Sequence, residues 1–106
     1  MKQPINFRKI DEMKFTITSG NDYKFNIGHN NTLWVYRESD KTDYCLAFVF
    51  DWKMNRYEIN RAHNGSGALW TDTLHKGIIH RDNMLTMNGF IEWVKMTIDY
   101  YEKYYN

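Results

Sequence analysis

Between Lys14 and Ile59 apolar and polar residues alternate with a period of two, and from Phe90 onward the apolar residues recur with the period of a helix. A chain that switches period once, and late, is constrained to a sheet followed by a helix. Phe15 and Ile17 alternate with polar residues over 14–18, and Tyr23, Phe25 and Ile27 do so over 23–27. Ser19, Gly20, Asn21 and Asp22 between them are turn formers, so the two segments are predicted to make a hairpin. His29, Asn30 and Asn31 supply the next turn, and residues 32–38 carry Leu33 and Val35 on one face and Trp34 and Tyr36 on the other.

Residues 44–52 give the strongest strand signal. The even positions are large (Tyr44, Leu46, Phe48, Phe50, Trp52) and the odd ones small (Cys45, Ala47, Val49). That pattern predicts a central strand covered on both sides, with a helix docked on the small face. Lys53, Met54 and Asn55 turn the chain into a fifth strand over 56–59. The expected architecture is α+β: one domain over residues 1–106, an antiparallel meander of about five strands packed against one long C-terminal helix.

The helix is predicted over residues 90–106, with Asn88 as its N-cap. At about 100° per residue its apolar arc is about 220° wide, and Glu92, Lys95, Asp99, Glu102, Lys103 and Asn106 form a narrow polar stripe. One packing surface needs only about 100°. Ile91, Val94 and Ile98 are the expected core face. The surplus aromatic side, Trp93, Met96, Tyr100 and Tyr104, is either covered by the chain's own loops or offered to a partner protein or a second copy, and its residue types favour an interface.

Residues 60–86 show the least periodicity. A loop longer than about 12–15 residues is uncommon in a compact domain and is often functional. Asn64, Gly65, Ser66 and Gly67 read as a flexible start, residues 69–74 as a short helical turn, and Arg61, His63, Trp70 and Lys76 as a second, basic contact surface. The loop also holds His75 and His80, which are five residues apart and miss the helical i, i+4 spacing of a zinc motif. No metal site, cofactor or catalytic set is expected. The alternative from the other class is a small metal-independent nuclease or toxin, in which two of His63, His75 and His80 supply the acid and base and Arg61 or Arg81 the cation.

Composition narrows the function classes. The 106 residues carry 14 Lys and Arg against 13 Asp and Glu, a net charge of +1. This predicts weak nonspecific affinity for nucleic acid, and the sheet aromatics are needed for a core, so direct nucleic-acid binding is not expected. The single Cys45 excludes an internal disulfide. No apolar stretch approaches the roughly 20 residues of a membrane span, and the opening residues lack the apolar run of a secretory leader, so a cytoplasmic location is expected. Asn, Ile, Lys, Tyr, Phe and Met make up 49 of the 106 residues, a usage that fits an AT-rich genome. Small phage and mobile-element proteins share this size and composition. The expected function is a non-enzymatic binding protein that inhibits a larger host protein, such as a bacterial defence nuclease in the anti-CRISPR manner, by occupying its surface.

Overall fold

The computed structural model describes residues 5–29, 31–37, 45–65, 68–79 and 86–105. Strands β1 (Lys14–Thr16), β2 (Asp22–Ile27), β3 (Thr32–Arg37), β4 (Cys45–Asp51), β5 (Arg56–Gly65) and β6 (Ala68–Ile78) form one sheet in that order. Every neighbouring pair is antiparallel. Helix α1 (Met87–Tyr105) follows, and a 3-10 turn at Phe7–Lys9 precedes the sheet. The fold is therefore the expected α+β meander, with six strands where the alternation indicated about five.

The extra strand replaces most of the predicted loop. β5 continues to Gly65, which pairs with Ala68 at the start of β6, so residues 69–74 are extended and not a helical turn. The physical reason lies at the register shift between Ile59 and Asn60. Ile59 faces His75 and Asn60 faces Thr73, which leaves Leu74 as an extra residue. A bulge of this kind shifts the period-two pattern partway along β6, so no single alternation runs through the strand.

Turn chemistry follows the residue types. Gly20 takes a φ of +93° between β1 and β2, and Asn31 and Asn55 take φ values of 60° and 59° at the next two described turns. Asparagine tolerates this left-handed region better than most residues. After β4 the Met54 amide donates to the Asp51 carboxylate at 3.0 Å, closing the β4–β5 turn.

One face of the sheet carries the core. Phe15, Tyr23, Phe25, Leu33, Val35, Leu46, Phe48, Phe50 and Ile59 are buried there beneath Phe90, Val94 and Ile98 of α1. The helix thus docks on the large face of β4, not on its small face. Docking on the small face would leave Leu46, Phe48 and Phe50 to solvent, at about 1.5–3 kcal/mol for each large side chain, which outweighs what Ala47 and Val49 would gain. The N-terminal turn packs on the same side, where Phe7 lies 5.5 Å from Phe50 and 5.6 Å from Phe90, ring centre to ring centre. No described helix or turn covers the opposite face, so the expectation of two covered faces is also corrected. Ala47 is nevertheless buried there between its register neighbours Trp34 and Asn60.

The helix starts three residues earlier than the periodicity indicates. Thr86, not Asn88, is the cap: its hydroxyl accepts from the Gly89 amide at 3.1 Å, and its carbonyl accepts from the Phe90 amide at 2.9 Å. At the other end Glu102, read from sequence as part of the polar stripe, is buried. Its carboxylate accepts from the Tyr23 hydroxyl and, at 2.9 Å, from the Asn21 side-chain amide, with the Arg37 guanidinium 3.6 Å away. The Thr18 hydroxyl reaches both oxygens of Asp99, at 2.7 and 2.8 Å. The two ends of α1 are held by different means, ring packing at Phe90 and charged hydrogen bonds at Glu102.

Candidate functional site

Between α1 and the β5–β6 hairpin runs a groove of about 380 Å³, lined by Tyr57, Ile59, His75, Trp93, Met96, Thr97, Tyr100 and Tyr101. Strand alternation puts Tyr57 and Ile59 on the helix side of β5, and antiparallel register sets His75 opposite Ile59. The floor is aromatic. Trp93 meets the Tyr57 ring edge-on at 5.1 Å and the Phe48 ring edge-on at 5.4 Å. His75 lies 5.8 Å from Tyr57, ring centre to ring centre. Burial pushes the Tyr57 hydroxyl above the usual phenol range, so it stays neutral.

The Tyr57 ring rests over its register partner Gly77. A Cβ at Gly77 would lie 2.6 Å from the Tyr57 ring carbon Cζ and from its hydroxyl oxygen. Gly77→Ala is therefore expected to push the ring into the groove and to lower stability by about 1–3 kcal/mol. The shift in urea midpoint checks this.

The residues singled out on the helix separate into two roles. Met96 and Tyr100 are 70% and 51% exposed and form the outer rim. Trp93 is half-buried against Phe48, Phe50 and Tyr57, so it belongs to the floor and partly to the core. Tyr104 continues the helix, and its side chain lies outside the described residues, as do those of Cys45, His63 and Trp70.

The second, basic surface is divided by the fold. His63 and Trp70 are register partners in the β5–β6 ladder, and Arg61 stands two residues from His63, half-buried opposite Leu46. Lys76 is instead on the outer face, bridged to Glu58 at 3.5 Å. There it borders a hollow of about 640 Å³ with Val49, Asp51, Arg56, Glu58 and Ile78. That hollow is larger than the groove, but two acids and two bases, Asp51, Glu58, Arg56 and Lys76, stand among its lining residues, whereas no Asp, Glu, Lys or Arg lines the groove. The groove by the helix has the composition of a contact site.

No family model, curated protein or solved structure matches the chain. For the histidines, the ladder places His63 four β5 residues from Ile59, the partner of His75. This is roughly 13 Å along the strand, whereas an acid and a base serving one bond must both reach it. His80 and Arg81 lie outside the described residues. Among the described residues no helix is long and apolar enough to cross a membrane.

Tyr57, Ile59, Thr97 and Tyr101 are not marked as site residues by the sequence pattern, and His75 is marked only as a candidate acid or base, not as part of this groove. Tyr57 and Ile59 carried only a strand signal, and His75 joins the groove through the register of a strand that the sequence pattern concealed.

Proposed function

We propose that the chain is a non-enzymatic binding protein that acts by covering a surface of a larger host protein. The setting that fits its size and composition is a phage or mobile element, with a bacterial defence nuclease as the target. The observation that supports this reading is the groove beside α1, with an aromatic floor and the exposed Met96 and Tyr100 at its rim. Large exposed apolar side chains beside a preformed hollow are the usual anchors of a protein interface. A net charge of +1 does not imitate the phosphate backbone, so an inhibitor of this kind would block a moving part or a protein groove of its target.

The test is capture of the target from lysate of an AT-rich bacterial host, followed by reconstitution with the purified target. Tyr100→Ala is expected to weaken that complex about thirty-fold, as for an anchor worth about 2 kcal/mol. Its unfolding free energy should fall by only about 1 kcal/mol, because half of the side chain is exposed and the rest stacks on Tyr101, 5.0 Å between ring centres. Trp93→Ala is the poorer probe, since it also removes core packing. Unchanged affinity in Tyr100→Ala together with Met96→Ala would remove the groove from the proposal.

A further inference from the structure

Met96 and Tyr100 form a ridge on α1 with a hollow on each side. The groove described above lies toward the sheet. On the other flank is a hollow of about 360 Å³ lined by Met96, Asp99, Tyr100 and Lys103. A ridge between two hollows is the surface that one helix offers another.

The charges along the ridge are ordered. Glu92 stands one turn before Met96, and Lys103 stands three residues after Tyr100; both are exposed. At about 100° per residue, Glu92, Met96, Tyr100 and Lys103 fall within an arc of about 80°, opposite the core line of Phe90, Val94 and Ile98. Glu92 meets Lys95 at 3.7 Å, an exposed contact of little energetic weight. Asp99 is engaged by Thr18. Glu92 and Lys103 are the opposite charges that flank the ridge.

We propose that α1 pairs antiparallel with α1 of a second copy, about a two-fold axis through the Met96–Tyr100 ridge. In such an isologous contact each residue pair occurs twice. Setting Met96 against Tyr100 of the second copy brings Glu92 within one residue of register with Lys103 of that copy. Two complementary charge pairs then flank two apolar contacts, and each ridge enters a hollow of its partner. A parallel arrangement would set Glu92 beside Glu92 and Lys103 beside Lys103. The charge order therefore selects a second copy in one orientation. This rests on the reading of the groove as a contact surface and states what fills it when the chain is alone.

Sedimentation equilibrium of the full chain is expected to show a dimer at concentrations up to about 100 µM. Glu92→Lys alone and Lys103→Glu alone should each weaken it about ten-fold or more, because each sets like charges together twice. The double variant Glu92→Lys/Lys103→Glu should restore it. Both side chains are exposed, and unfolding temperature serves as the folding control. A monomer at every concentration, a dimer indifferent to the single reversals, or a double variant that stays dissociated overturns the inference. A monomer whose target is still lost in Tyr100→Ala removes this inference and leaves the proposed function standing. A dimer with restored double reversal and no Tyr100-dependent target does the opposite.

Discussion

Phe50→Ala is expected to lower the unfolding free energy by about 3–5 kcal/mol, most of the margin of a domain whose total stability is of the order of 5–15 kcal/mol. The ring is 2% exposed and sits where four parts of the chain meet. Its centre lies 5.5 Å from Phe7 of the N-terminal turn and 5.0 Å from Trp52, stacked, at the β4–β5 turn. Tyr57 of β5 is 6.4 Å away, and Phe90 and Trp93 of α1 are 5.6 and 6.4 Å away. Alanine leaves a cavity bounded by rings, which are too rigid to collapse into it. Urea unfolding followed by tryptophan fluorescence should show a lower midpoint with an unchanged slope. Because Trp93 rests on this ring, the groove floor should loosen too, and target binding should weaken. Phe50→Leu keeps most of the volume and should retain both.

The same ring explains why one part of the fold was legible and another was not. In β4, Leu46, Phe48 and Phe50 alternate with Ala47 and Val49, and the strand could be read from that alone. Which side took the helix could not, because alternation separates two faces without ranking them. The ranking comes from burial: the face with more apolar area gains more by being covered. Once β3 pairs with β4, Trp34 stands beside Ala47, which is buried without a second layer. The wheel of α1 likewise gave angles but not neighbours. It placed Met96 and Tyr100 on a surplus side, where the structure shows them exposed. It placed Trp93 there too, although Tyr57 and Phe48 rise to meet that ring. β6 stayed hidden because its bulge at Leu74 shifts the phase midway, and with it went the register that brings His75 to the groove.

The burial of Glu102 is hidden from the sequence for a related reason. Sequence periodicity sets it at the edge of the polar stripe, and nothing local reveals that Tyr23, 79 residues away, will point a hydroxyl at it. Only the pairing of β2 with β3, which puts Tyr23 opposite Arg37, assembles a donor and a cation around that carboxylate.

Removing this carboxylate is the second large effect. Glu102→Ala is expected to cost about 3–5 kcal/mol, because it leaves the Arg37 charge and the Tyr23 and Asn21 donors in a buried site without their acceptor. Glu102→Gln keeps an acceptor and should cost less. The pH dependence has a definite sign. Burial alone would raise the Glu102 carboxyl, but hydrogen bonds from Tyr23, Ser19 and Asn21 and the Arg37 guanidinium outweigh it and hold the group below its ordinary value of 4.5. A carboxyl that binds protons more weakly folded than unfolded contributes its stability fully above the unfolded value, and loses it as pH falls through the folded one. The difference in urea midpoint between the native chain and Glu102→Gln should therefore be constant near neutrality and shrink below about pH 4.5. Taking the difference cancels the other carboxylates. Phe90 keeps its ring contacts in this variant, so the loss should be confined to the C-terminal turns of α1, and amide exchange should rise around residues 98–105 before it rises near residue 90. Tyr100 lies within that segment, so the groove rim should loosen in the same pH range, and target affinity should fall with it.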